Sequence, residues 1–487
     1  MVSTKQTMVS TEQAIVSRKI HVGLCSIPCY GHVKPLFLFA EQLAEGGHEV
    51  TFYTSSSMVK YCEGIGQGGR IAIVGLEDGL IPESEDFFLG KPPGLNVPVL
   101  SYAMNCMGEP LKMAVEARTQ PLDIMISDHL SWAGSYAAIK LSIQHAVHVT
   151  WPLAMVEETR VIPPSTMSTA LGIRWRDFRG GWIVPRIFHP SGPPRAMLRR
   201  VREHCSGGLV LVATHFGLDY PRLLPPTVKV VGRAGKPETV KGLSGHPDLQ
   251  DFLARNNVVV LVTFGSRVPP PKERVEAVAK GLLAGGWAVV WSCKAAQQGY
   301  LPEAVQESNL FFVREWIPQG AVLAHPNVLA AVTHCGMGGM WECAVNGVSI
   351  IPLPFLLSAD QPLNARAAQH AGYASIPAPR GWLGWLRGAP SLAEKAVEEA
   401  VRKALTDPAV ARSAERAKLA ALGAAHGNAG VQYVEAACLY GTAHLQVQDK
   451  GAFKSTARLV ATLSVITTAA ATVMLAYAGS SRSRKEI

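Results

Sequence analysis

Trp316 to Gln361 reads WIPQGAVLAHPNVLAAVTHCGMGGMWECAVNGVSIIPLPFLLSADQ, and its hydrophobic rhythm decides the fold. The apolar run VLAAV ending at Thr333 is the pattern of a strand covered on both faces. His334-Cys335-Gly336-Met337-Gly338-Gly339 then turns toward a helix expected to open near Met340, and a second apolar run, VSIIPLP, follows it. Strand, glycine turn, helix and strand make the repeating unit of a parallel α/β sheet. Where such a helix begins, unpaired N–H groups attract phosphate, which points to Gly336, Gly338 and Gly339. The groups around them suit the rest of a nucleotide-linked sugar. The ring of Trp316 and the amide of Gln319 fit a flat base. Glu342, in the first helical turn, fits ribose hydroxyls, and Asp360 and Gln361 fit those of the sugar.

Working outward, the same pattern recurs. VVVLVTFGS from Val258, a helix through Val275 to Leu283, WAVVWSC and LFFV precede the box. Far upstream, IHVGLCSIP from Ile20, a glycine-containing loop and KPLFLFAEQLAEGGHEVTFYT form a βαβ unit. Further strands are expected at Arg70 to Leu76, Leu122 to Ser127, Ala146 to Thr150 and Gly208 to Thr214. A Pro- and Gly-rich passage between them reads as a linker, although TVKVVG within it could pair with either half. The expected fold class is α/β: two doubly wound Rossmann-like domains facing across a cleft, with ligands at their strand carboxyl ends, plus a C-terminal hydrophobic helix. The expected boundaries are a flexible tail at 1–19, an acceptor-binding domain at 20–220, a linker at 221–247, a nucleotide-sugar domain at 248–445 and a candidate membrane span at 455–481.

The 487 residues exceed what one core serves, since cores stop growing near ~250–300 residues. A hydrophobic fraction of 48% with 17% charged residues suits a globular enzyme rather than a disordered chain. The net charge of +9 gathers partly in arginines between Arg174 and Arg202, without a nucleic-acid motif, so no nucleic-acid partner is expected. Nine cysteines at irregular spacing give neither a zinc pattern nor a disulfide framework. Leu459 to Ser481 lacks charge and is long enough for a bilayer core of ~20 residues. With no signal segment ahead of the first domain, the expectation is a single-pass anchor at the endoplasmic reticulum with the lobes in the cytosol.

The box resembles that of the UDP-dependent glycosyltransferases of the GT-B fold, matching at Trp316, Pro318, Gln319, Leu323, His325, His334, Cys335, Gly336, Glu342, Gly347, Pro354, Asp360 and Gln361. It departs at Met337-Gly338-Gly339, where plant members carry Trp-Asn-Ser, and the Asp360-Gln361 pair arrives two residues late. The resemblance implies a UDP-sugar donor, a hexose (with glucose foremost) and one-step displacement giving a β-glycoside.

Such transfer needs an acceptor deprotonated as it attacks and a stabilised leaving diphosphate. His32, in Pro28-Cys29-Tyr30-Gly31-His32-Val33-Lys34-Pro35 after the first strand, is the candidate base, and imidazole with its ~6.5 pKa suits neutrality. Asp128 ends the strand LDIMIS at the same sheet edge and could hold the imidazole's far nitrogen. The resemblance agrees, placing its dyad in a Gly-His-x-x-Pro loop and a strand-end aspartate. Ser266, in a further strand-end motif, joins the donor contacts. No Asp-x-Asp motif is present, so neither a metal nor another cofactor is expected. Phe87, Phe88, Met104, Met107, Trp151 and Met155 suggest an apolar pocket for a sterol, terpenoid, lipid or phenolic.

Two other readings compete. Gly64 to Gly69 spells G-x-G-x-x-G, but a helix-like segment precedes it and a strand follows, the reverse of a dinucleotide site. A catalytically silent nucleotide-sugar or lipid binding protein is the alternative that Met337-Gly338-Gly339 leaves open. Trp382 to Arg387 reads as a surface insertion.

Overall fold

The computed structural model describes residues 19–66, 70–77, 97–153, 208–221, 224–265, 269–355, 360–377, 393–425 and 427–445, with the backbone alone for 97–105. The first sheet is built from β1 (His21–Cys25), β2 (Glu49–Ser55), β3 (Ile71–Leu76), β4 (Ile124–Asp128), β5 (Gln144–Val149), β6 (Leu209–Val212) and β7 (Val228–Val230). Their order is β3-β2-β1-β4-β5-β6-β7, every pair parallel. Among the helices of this part are α1 (Tyr30–Glu45), α2 (Val59–Ile65), α3 (Val97–Glu116) and α4 (Trp132–Lys140). TVKVVG thus resolves as β7, on the edge of the first sheet.

The second sheet runs β10 (Phe311–Arg314), β9 (Ala288–Ser292), β8 (Val259–Thr263), β11 (Val328–Thr333) and β12 (Ser349–Pro352), again all parallel. Packed around it are α5 (Pro247–Arg255), α6 (Lys272–Gly285), α7 (Gln319–Leu323), α8 (Met337–Asn346), α9 (Gln361–Ala371), α10 (Glu394–Thr406) and α11 (Pro408–Ala425). β8 shows why its sequence carries no polar alternation. Val259 and Leu261 enter one buried cluster with Trp341 and Tyr373, while Val260 and Val262 enter another with Trp291 and Val397, so both faces are covered. Two parallel α/β sheets of this kind are consistent with the GT-B architecture.

Both sheets lie in one compact unit, Met1–Gly441. Its last helix, α12 (Ala429–Tyr440), packs on the first sheet's side. His48 Nε2 lies 3.0 Å from Glu435 Oε1, and Gln144 Nε2 donates to the Ala437 carbonyl at 2.7 Å. In the other unit, Thr442–Ile487, one turn at Ala443–Leu445 is described. The 455–481 span lies outside the described residues, among which no helix is long and apolar enough to cross a membrane.

Two local expectations are corrected. His32 stands in the opening turn of α1 rather than in a loop. The helix begins at Tyr30, and His32 N–H donates to the Cys29 carbonyl at 2.9 Å. Pro28, Gly31 and Pro35 read as loop residues in sequence, yet Pro28 lies just ahead of the helix and Pro35 stands inside it as the sixth residue, where it forfeits one helix hydrogen bond. Likewise α8 opens at Met337, capped by extended Gly336, which places Glu342 in the second turn. The glycines at 338 and 339 cost this helix about 1 kcal/mol each relative to alanine, and tertiary packing overrides that preference. For Gly64 to Gly69, α2 lies ahead and β3 behind, the order that excludes a dinucleotide fingerprint.

Candidate active site

In each sheet the strand order reverses once about its centre, between β1 and β4 and between β8 and β11, which is where open α/β sheets bind ligands. Because β1 and β4 are parallel neighbours, with Cys25 opposite Ser127, the chain leaving β1 and the last residue of β4 emerge at one edge. His32 and Asp128 meet there. His32 Nδ1 lies 2.9 Å from Asp128 Oδ2 and 3.1 Å from Oδ1, and Leu130 N–H donates to Oδ1 at 2.9 Å. Asp128 is wholly buried and His32 nearly so.

Burial alone would raise the Asp128 pKa, but the imidazoles of His32 and His129 outweigh it and hold the carboxyl well below its ordinary range. His129 Nδ1 stands 3.2 Å from Oδ2, and its ring packs edge-on to Trp151 at 4.3 Å. Burial pushes His129 down against the pull of Asp128, which keeps it neutral at pH 7 and leaves the carboxylate's charge to His32. With Nδ1 spent on Asp128, His32 has Nε2 as its reactive nitrogen.

The second sheet supplies a chain of polar side chains opposite. Thr263, at the end of β8, donates to Gln319 Oε1 at 2.8 Å, and Gln319 Nε2 donates to Glu342 Oε2 at 2.6 Å. Lys34, two residues beyond His32, reaches Glu342 at 3.6 Å and Glu238 at 3.3 Å. These contacts set the opening turn of α1 against α8. The His334 ring is wedged between two glycines: a Cβ on Gly265 or Gly336 would fall 2.7 or 2.6 Å from Nε2. Cys335 adopts a φ of 65°, a left-handed conformation rare outside glycine, and its N–H is held by Thr333 Oγ1 at 3.2 Å.

The expected donor residues differ in what they are free to do. Trp316 is 68% exposed and available for stacking. The Gln319 side chain is engaged by Thr263 and Glu342, so it orients Glu342 rather than presenting its amide to a base. Asp360 caps α9, and its Oδ2 accepts from Asn364 at 3.3 Å. Gln361 is buried, with Oε1 accepting from Phe355 N–H at 2.9 Å. Of the acceptor candidates, Trp151 is half-buried against His129, and Met107 is fully buried in the first core beside Met125. Met104 lies on α3, with only its backbone described. Ser266, Phe87, Phe88, Met155, the 174–202 arginines and Trp382 to Arg387 lie outside the described residues.

Residues 201–378 match the family model described as UDP-glucoronosyl and UDP-glucosyl transferase. Over those residues the chain is similar to the UDP-glycosyltransferases. A UDP-glycosyltransferase of Talaromyces amestolkiae is 30% identical over 186 residues, 34% of this chain and 35% of that one. An anthocyanidin 3-O-glucosyltransferase of Vitis vinifera is 38% identical over 113 residues, 23% of this chain and 24% of that one. The chain therefore spans roughly a quarter to a third of the length of the first curated relatives it matches. In fold the likeness runs further: the crystal structure of Os79 from O. sativa, in complex with U2F and trichothecene, superposes with a TM-score of 0.69 at 20% identity, covering 85% of this chain and all of that one.

Against the family's box, Gly338 and Gly339 remove an amide and a hydroxyl from the opening of α8. Sequence reasoning missed His129, Lys34 and Arg233 near this site. His129 and Lys34 could have been found by their proximity to Asp128 and His32. Arg233 carries no such signal, because it sits in a segment read as linker. Among the described residues, His32, Asp128 and His129 also form the group whose donor atoms lie within 4.8 Å of one another. A cation there would compete with the His32–Asp128 hydrogen bond for the same carboxylate and nitrogen.

Proposed function

We propose that this protein is an inverting UDP-glycosyltransferase that moves a hexose, glucose foremost, from a UDP-sugar to a hydroxyl of a lipophilic small-molecule acceptor. The observation that carries the reading is the buried His32–Asp128 pair at the carboxyl edge of the first sheet, set by Lys34 opposite Glu342 and the start of α8. Glucose is the sugar that the Vitis vinifera relative, a glucosyltransferase, transfers.

His32 Nε2 takes the acceptor hydroxyl's proton as the oxygen attacks the anomeric carbon from the face opposite the leaving group. Asp128 holds the Nδ1–H tautomer and stabilises the imidazolium that forms. The departing diphosphate collects negative charge at the unpaired N–H groups of Met337, Gly338 and Gly339, aided by Ser266, and no metal is needed for this. Glu342, oriented by Gln319 and Lys34, accepts from the ribose. Trp316 stacks on the base, with Asp360 and Gln361 nearest the sugar hydroxyls. The 455–481 stretch anchors the chain in the endoplasmic reticulum membrane with both lobes in the cytosol.

The test incubates the purified chain with UDP-glucose and a panel of lipophilic alcohols and phenols, read by mass and by the anomeric proton coupling. A β-glycoside is expected, and an α-glycoside contradicts inversion. Tight UDP-glucose binding with neither transfer nor slow hydrolysis supports the silent binding protein instead. Release by a carbonate wash contradicts the anchor, and protection of both lobes from protease in intact microsomes contradicts the cytosolic arrangement.

A further inference from the structure

The segment that crosses from β7 to the second sheet buries a positive charge that no described residue neutralises. Arg233 is only 6% exposed. Its guanidinium lies 4.9 Å over the Trp341 ring, its Nε has no hydrogen-bond partner, and among the described residues it forms no ion pair. Burial weakens its hold on its proton, opposed only at a distance by Glu342, Tyr61 and Glu238.

The backbone fixes where this side chain points. Gly232 has a φ of 71°, donates to the Thr214 carbonyl at 3.0 Å and lies so close to α11 that a Cβ would fall 2.4 Å from the Ala424 carbonyl oxygen. A Cβ on Gly338, in the first turn of α8, would stand 3.3 Å from Arg233 Nη1. The fork thus ends at the helix start whose N–H groups lack partners, against a position where relatives carry a side chain and this chain carries none.

A structural role explains this poorly. Stacking on an indole offsets only part of the cost of desolvating a guanidinium, and an apolar side chain would fill the same space without burying an unpaired charge. We infer that Arg233 is a diphosphate-binding residue, its guanidinium fork joining the opening N–H groups of α8 in place of the polar side chains missing at Gly338 and Gly339. A planar fork matches phosphate oxygens two at a time, which suits a diphosphate better than a neutral sugar. The inference rests on reading the start of α8 as the donor site.

Calorimetric titration of the full chain with UDP, uridine and UDP-glucuronate tests it, comparing wild type with Arg233→Met and Arg233→Lys. Arg233→Met is expected to bind UDP roughly 10- to 100-fold more weakly while uridine affinity is unchanged, as for a lost charge-assisted contact. Arg233→Lys should fall between the two, and it carries the test by itself if Arg233→Met does not fold. Unchanged UDP affinity in the variants overturns the inference and leaves the donor-site reading standing. An equal loss of UDP and uridine overturns it in favour of a packing role, and a loss confined to UDP-glucuronate assigns Arg233 to a sugar carboxylate instead. A wild-type chain that binds neither UDP nor uridine removes the donor site itself.

Discussion

Replacing Asp128 by asparagine changes one oxygen for an amide in a position with no room to adjust. The carboxylate is wholly buried and accepts from His32 Nδ1 and from Leu130 N–H at 2.9 Å each. Asparagine has one acceptor oxygen and a two-proton donor in their place. If its oxygen meets Leu130, its NH2 faces Nδ1, and the imidazole must move its proton to Nε2, which destroys the base. If its oxygen meets Nδ1, two donors confront each other at Leu130, a buried defect worth about 1–3 kcal/mol. In both arrangements the charge that stabilises the imidazolium is gone. Turnover of Asp128→Asn should therefore fall roughly 10²- to 10⁴-fold, while UDP affinity, which the proposed mechanism assigns to the second sheet, should stay as in wild type. Initial rates under saturating UDP-sugar and calorimetric UDP titration read the two quantities separately. Turnover near the wild-type rate, or a parallel loss of UDP affinity, would refute the reasoning.

Gln319→Ala removes the amide that holds Glu342 and is itself fixed by Thr263, leaving Lys34 against Glu342, so the KM for donor should rise roughly 5- to 10-fold with kcat unchanged; a lowered kcat at constant KM contradicts the positioning role. Burial holds His145, His148 and His215 near a pKa of about 4, below the ordinary ~6.5 of an unfolded chain. The unfolded state then binds more protons as pH falls from about 6.5 to 4, so urea midpoints should decline across that window and stay level above it; Asp128, with its depressed pKa, adds a further loss below the ordinary carboxylate range. A midpoint that holds steady from pH 7 to 5 contradicts these assignments. Transfer should continue in excess EDTA, and full loss restored by one divalent cation would reassign His32, Asp128 and His129 as ligands.

The sequence made the strands legible because buried parallel strands are continuous apolar runs. VLAAVT and VVLVT appear in the structure as β11 and β8. The meeting of His32 and Asp128 was legible as well, since both follow from which end of a parallel strand a residue occupies. Helix starts were not. Glycine and proline near Tyr30 and Met337 signal turns locally, and only the packed sheets show the backbone already helical there. Nor could sequence show that the Gln319 amide is spent inside the protein, because its partner Thr263 is 56 residues away. Arg233 was hidden for the opposite reason: its meaning depends on the absence of an ion-pair partner among the described residues and on the empty Cβ position at Gly338.

The central claim is that an imidazole from the first sheet confronts an anomeric carbon held by the second. A crystal structure with an unreactive UDP-sugar analogue and a transferred acceptor measures it directly. The account predicts the diphosphate on the N–H groups of Met337 to Gly339 and the acceptor oxygen within hydrogen-bond reach of His32 Nε2, on the face of the sugar opposite the leaving group. An acceptor bound away from His32, or a diphosphate seated elsewhere than the start of α8, would contradict it.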